Sequence, residues 1–124
     1  GPGQNSTRIE RFCIQLYEQL GIPQPNTNCE YLTLALQIAC SADGQLALRK
    51  EILRGIADEY HITVAAVDSG LRRMIDGLET RAPSGWERYK AENSLTGMKI
   101  TTGKLIYSLQ RTVLRQGIVK REHL

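Results

Sequence analysis

The stretch from Ile56 to Arg73, IADEYHITVAAVDSGLRR, admits few folds. It reads as a helix, a tight turn and a second helix. Ala57 is small where two helices would cross closely, and Ile62 sits in or just past the turn. Val67 and Leu71, four apart, share one face of the second helix. Thr63 stands where that helix needs an N-cap, so its hydroxyl can satisfy a free backbone N–H. His61, in the turn, is a residue type enriched at positive φ. A small residue, a short gap to a turn and a capped helix with inward Val and Leu have the spacing of a helix-turn-helix. In that motif the second helix enters the DNA major groove. Its outward residues here would be Val64, Ala65, Asp68, Ser69 and Arg72. An ordinary helical hairpin in an all-α core has the same pattern, so this stretch alone does not separate the two.

The rest of the chain supplies helices for such a pair to pack on. Thr7-Arg8-Ile9-Glu10 matches a capping box, in which Thr caps and Glu reaches back to the cap N–H. The helix it opens puts Ile9, Phe12, Cys13, Leu16, Tyr17 and Leu20 on one stripe and ends at Gly21. Ile22 to Asn26, with prolines at 23 and 25, is a connector. Thr27-Asn28-Cys29-Glu30 is a second box, opening a helix to about Cys40. That helix is apolar nearly all round and belongs at the centre of a bundle.

Asp43-Gly44 breaks the chain. A third helix from about Leu46 to Tyr60 would bury Leu48, Ile52, Leu53 and Ile56 and turn Arg49, Lys50 and Arg54 outward. The fourth runs from Val64 to about Glu79, with Pro83 beyond it. Ser84-Gly85-Trp86-Glu87 is a third box, starting a short helix around Trp86 and Tyr89. Trp86, the only tryptophan, is expected to seal one end of the core. A polar stretch from Glu92 to Thr96, then Gly97, leads to a last helix from about Gly103 to Gln116. Leu105, Ile106, Leu109 and Val113 would face inward there, and Gly117 would end it. Six helices and no alternating strand pattern predict a single all-α domain with the third and fourth helices as its helix-turn-helix.

At 124 residues one domain can bury a real core. Gly1-Pro2-Gly3 looks like a cloning remnant, so residues 1–6 are read as scar or disordered start and 7–124 as the domain. No apolar run approaches the roughly 20 residues that span a membrane, and there is no secretory signal pattern. Cys13, Cys29 and Cys40 are odd in number and widely spaced. They fit small buried residues in a reducing cytoplasm. A zinc site would need a fourth ligand, and His61 and His123 lie at no suitable spacing, so no metal or cofactor is expected. No Ser/His/Asp set, phosphate loop or paired-carboxylate pattern points to catalysis or a small-molecule substrate.

The net charge of +3 decides little, but its distribution is uneven. Lys99, Lys104, Arg111, Arg115, Lys120 and Arg121 stand against Glu122 alone at the C-terminal end, while the first 43 residues are mildly acidic. A basic end beside a helix-turn-helix suits a polyanion, although a solvated helix face would look alike. The candidate DNA contacts are Thr63, Val64, Ala65, Asp68, Ser69, Arg72 and Arg73 on the second helix, with Arg49, Lys50 and Lys104 for phosphates.

LGIP near Leu20, Glu30-Tyr31-Leu32, IADEYHIT, the Arg72-bearing helix and KITTGKLIYSLQRTVLR follow one another along nearly the whole chain. In this succession the chain resembles the C-terminal DNA-binding effector domains of stage 0 sporulation response regulators. The resemblance implies six helices, with a helix-turn-helix formed by the third and fourth. It also implies transcriptional control through tandem binding to direct-repeat double-stranded DNA. The family's recognition helix reads roughly SRVERAIR, whereas Ala65 to Arg72 here reads AAVDSGLR. Asp68 keeps the acidic position and Arg72 the last basic one, but Ala66 and Ser69 replace two arginines. Arginine reads guanine through paired hydrogen bonds worth roughly 1–3 kcal/mol of discrimination. Their loss predicts a changed target, weaker binding, or both. The family's receiver domain has no counterpart, so the chain is an excised effector domain or one regulated otherwise. Tandem pairing on DNA, or a homodimer, would compensate for poor half-site reading by effective concentration. The last helix, with the mixed apolar and basic tail Ile118-Val119-Lys120-Arg121, is the expected neighbour contact. The alternative is a helix-turn-helix that has lost its base readers and serves as a protein-interaction or dimerisation module.

Overall fold

A computed structural model of the protein describes residues 2–41 and 48–120, without the side chains of Pro2, Leu48 and Arg49. The described residues form α1 (Pro2–Gln19), α2 (Thr27–Ser41), α3 (Leu53–Tyr60), α4 (Val64–Arg81), α5 (Ser84–Glu92) and α6 (Thr102–Arg115). A π-helical turn, Leu48–Ile52, runs directly into α3. No strand occurs among the described residues, so the fold is all-α. The break at Asp43-Gly44 and the expected helix start at Leu46 lie outside the described residues.

The apolar circumference of α2 makes it the central element. It packs against α1, α3, α4 and α6, and buries Cys29, Leu32, Ala35, Leu36 and Ala39. From α1 it receives the stripe of Ile9, Cys13, Leu16, Tyr17 and Leu20, all buried, with Phe12 half-buried beside them. The Tyr17 hydroxyl donates to the Cys29 carbonyl at 2.8 Å and lies 2.8 Å from the Thr33 hydroxyl, so this buried polar atom is paired. Burial raises the pKa of all three cysteines, Cys40 to about 11. Their thiols therefore stay protonated at neutral pH and pack as small apolar groups.

The helix starts differ from their sequence signatures. Helix α1 begins at Pro2, and Thr7 is already inside it, its hydroxyl bonded back to the Gly3 carbonyl at 3.1 Å. An N-cap needs non-helical backbone, and Pro2 to Ser6 are helical, a first turn that tolerates proline. At α2 the cap is Asn26, not Thr27: its Oδ1 accepts from Cys29 N at 3.0 Å. Ser84 is the first residue of α5, because Pro83, with φ −62° and ψ 150°, already occupies the extended cap position. Helix α6 is capped by Thr101, whose hydroxyl oxygen accepts from Lys104 N. The end of α1 is as expected, with Gly21 at φ 69° and Ile22 N donating to the Tyr17 carbonyl at 3.0 Å.

Leu95, Ile100 and Val119 are buried outside the helices, where the sequence pattern pointed only to polar connectors and a tail. Ile118 and Val119 both donate their backbone N–H to the Val113 carbonyl, so the chain folds back after Gly117. Within the expected neighbour contact, Val119 is buried in the chain's own core and Lys120 is exposed, while Arg121 lies outside the described residues.

Ala57 is buried on α3, which packs against α4 and its buried Val67 and Leu71. On the far side, Tyr60 meets Tyr31 of α2 edge to face, ring centroids 5.0 Å apart, and reaches Glu30 with its hydroxyl. The last turn of α3 is thus gripped from two sides. Ala57→Leu is expected to overpack this crossing and lower stability by about 1–3 kcal/mol in chemical denaturation. A variant as stable as the parent would show that α3 has room there.

Candidate nucleic-acid interface

The turn between α3 and α4 is three residues long, and each has a distinct backbone task. His61 takes the left-handed conformation, φ 56° and ψ 44°. Its N–H bonds the Asp58 carbonyl, and Ile62 N bonds the Ala57 carbonyl at 3.0 Å. These two bonds close the carbonyl end of α3 and reverse the chain. Ile62 is half-buried against the core and anchors the turn. Thr63 is extended, and its hydroxyl oxygen accepts from Ala66 N at 3.0 Å, the predicted cap.

Beyond the cap, α4 has one buried face and one open face. Val67, Gly70, Leu71, Met74, Ile75 and Leu78 are buried. Gly70 has a packing reason: a methyl built there would fall on the Asn28 side chain and come within 3.5 Å of the Tyr31 ring. Glycine therefore lets α2 and α4 approach closely, a role that the single-helix pattern did not reveal. Ala65, Ala66, Ser69, Arg72 and Arg73 are exposed, and Thr63 lies exposed at the head of the same helix. Val64 is half-buried and packs on the core, so it offers only part of its surface.

Asp68 is the main correction. It was expected to point outward, but its side chain is only 12% exposed. The Thr102 hydroxyl donates to its Oδ1 at 3.2 Å, and the Arg72 Nη2 lies 3.0 Å from its Oδ2. Asp68 follows Val67 on the flank of the buried face, where the first turn of α6 covers it. Thr102 is 34 positions away, so no local pattern signals the pair. Arg72 itself stays 62% exposed, one nitrogen on the carboxylate and the guanidinium in solvent.

The phosphate candidates are scattered around this face. Lys50 is exposed on the π-helical turn ahead of α3, with Arg54 exposed one turn on; the Arg49 side chain lies outside the described residues. Lys104 is exposed on the first turn of α6, its Nζ donating to the Lys99 carbonyl at 3.1 Å. Because Thr102 bonds Asp68, this end of α6 sits beside α4. Thr101 and Thr102 were missed, although a threonine ahead of an apolar-periodic run is itself an N-cap signal. The exposed cations of α6, Lys104, Arg111 and Arg115, form no ion pair among the described residues.

The exposed face of α4 carries the Ser69 hydroxyl and the Arg72 and Arg73 guanidinium groups, with Lys50 and Lys104 exposed on neighbouring elements. Among the described residues, no group of three or more His, Cys, Asp or Glu is placed to hold a metal ion. No helix among them is long and apolar enough to cross a membrane. Neither family models, nor curated proteins, nor solved structures yield a match to the chain.

Proposed function

We propose that the chain is a sequence-specific DNA-binding module of a cytoplasmic transcription regulator, with α3 and α4 as its helix-turn-helix and α4 as the recognition helix. One observation carries the reading. A three-residue turn delivers a side-chain-capped helix whose Ala65, Ala66, Ser69, Arg72 and Arg73 face solvent while its other face is locked into the core. A rigid helix with one open face at its N-terminal end is what major-groove reading requires. The resemblance to sporulation effector domains supports the same reading and extends it to tandem pairing on direct repeats.

In this reading Arg72 reads a base edge, with Arg73 and Ser69 at its side. Thr63 and Lys50 contact phosphates on one side of the groove, and Lys104 does so from α6. Short Ala65 and Ala66 permit close approach of the helix but read little beyond a thymine methyl. Base readout by one copy is therefore sparse.

Selecting bound duplexes from random DNA and titrating the best against salt tests the proposal. Affinity is expected to fall steeply with salt as condensed counterions are released. Arg72→Ala reduces discrimination between sites, whereas Lys50→Ala weakens all sites about equally and flattens the salt slope by about one. Equally negligible binding of selected and random duplexes at low salt would overturn the proposal and favour a protein-interaction module.

A further inference from the structure

Asp68 presents an unusual arrangement for a surface helix. Its carboxylate lies against the protein and touches two elements at once, the hydroxyl of Thr102 on α6 and the guanidinium of Arg72 on its own helix. We infer that Asp68 is a positioning residue that aims Arg72 and thereby sets base discrimination rather than affinity. The inference rests on the DNA-binding reading of α4.

An exposed pair of opposite charges one helical turn apart is ordinarily weak, because both partners are mobile and water competes. Here one partner is fixed. The Asp68 side chain is 12% exposed and accepts from Thr102 at 3.2 Å, so its Oδ2 presents a stationary acceptor to Arg72. Arginine carries its donors in a rigid planar fork, so holding one nitrogen restricts where the others can lie. The range open to Arg72 is thereby narrowed before any ligand arrives, and the ordering loss that a free arginine suffers on docking is reduced. The remaining donors of the fork stay available to a base edge while the Asp68 bond persists.

The same carboxylate acts against unselective binding. A phosphate that draws Arg72 away would leave Asp68 without one of its partners and would itself lie near a negative charge. A guanine edge takes the free donors of the fork and leaves the Asp68 bond intact. Asp68 therefore makes Arg72 a better base reader and a poorer phosphate clamp. Thr102 extends the device to α6, since the orientation of Asp68 depends on that helix staying seated against α4.

The test is Asp68→Asn, which keeps the shape and an acceptor for Thr102 but removes the charge. Affinities are measured for the selected duplex, for duplexes altered at the base pair that Arg72→Ala identifies, and for random duplex. Asp68→Asn is expected to lower discrimination at that base pair by about five- to tenfold, part of the range a well-formed arginine–guanine pair commands. Affinity for random duplex is expected to rise, the opposite of what a loosened fold would cause. In the Arg72→Ala background the substitution is expected to leave discrimination unchanged, because the residue it acts through is gone. Thr102→Val, which leaves both charged groups in place, should lower discrimination in the same direction by less. It supplies the readout if Asp68→Asn does not fold. Parallel loss of both affinities, or undiminished discrimination, would show that Asp68 is structural only. A parent protein with no preference for any duplex would instead remove the DNA-binding reading on which the inference stands.

Discussion

Trp86→Ala is expected to lower the unfolding free energy by about 3–5 kcal/mol, the range for truncating a fully buried tryptophan. Trp86 is 0% exposed. Its ring stacks on Tyr89 at a centroid distance of 5.9 Å and an interplanar angle of 7°, and its Nε1 donates to Glu79 Oε2 at 3.0 Å. The Lys90 ammonium lies 2.7 Å from the same oxygen and 5.7 Å from the indole centroid. Lys90 and Trp86 together hold the Glu79 carboxyl below the usual carboxylate range. One side chain thus joins α4, α5 and the core. Its removal enlarges an apolar void that Leu16, Leu20, Leu32, Met74, Leu78, Leu105 and Leu109 already line, and these residues come from α1 and the turn after it, α2, α4 and α6, which cannot all move inward. Domains are stable by only about 5–15 kcal/mol, so the variant should melt on the order of 10–20 °C lower. Circular dichroism reads the change, since the variant has no tryptophan left to report it. Trp86→Phe should retain part of the stacking and fall between variant and parent. A loss below about 1 kcal/mol for alanine would mean that α5 is not seated on the core as described.

Gly85→Ala is the second large effect, and the smallest chemical change behind one. A methyl built at Gly85 falls on the carbonyl oxygen of Gln19, with the carbonyl carbon 2.8 Å away. The obstacle is backbone at the end of α1, so no side-chain rotation relieves it. Either α5 lifts or the end of α1 is pushed aside, and Trp86 is the next residue along. Overpacking of this kind is expected to destabilise by about 1–3 kcal/mol or more, against the slight gain that alanine gives in an open helix. Gly77→Ala is the control. The atoms nearest a methyl there belong to the tip of the Arg81 side chain, the first at 2.8 Å, and that tip can swing into solvent. Urea denaturation of the two variants should therefore separate them clearly. Equal stabilities would show that α1 and α5 do not approach as closely as their backbones imply.

The contrast between these glycines shows where local sequence stops being informative. Both lie in helices, and nothing in the neighbouring letters marks Gly85 as touching backbone and Gly77 as touching a mobile side chain. Asn26, Thr27 and Ser84 teach the same lesson at helix starts. Each is a competent cap by composition, but which one caps depends on where the preceding backbone leaves the helical region. At Thr7 that point never arrives, because α1 already extends back to Pro2.

Periodicity specified the all-α class, the inward stripes of α1 and α6 and the apolar circumference of α2, and residue type marked the Thr63 cap and the left-handed His61. These features depend on residues within a few positions of one another, where helix geometry relates spacing directly to contact. The open face of α4 was legible for the same reason, and so were the positions of Ala65, Ser69 and Arg72 on it. Tertiary structure decided the rest. Asp68 has the spacing of an outward residue and is turned into the protein by Thr102, 34 positions on. Leu95, Ile100 and Val119 are buried although no periodic element contains them. Their surroundings come from distant parts of the chain, and the direction in which a polar or flanking side chain points is set by whichever helix covers it.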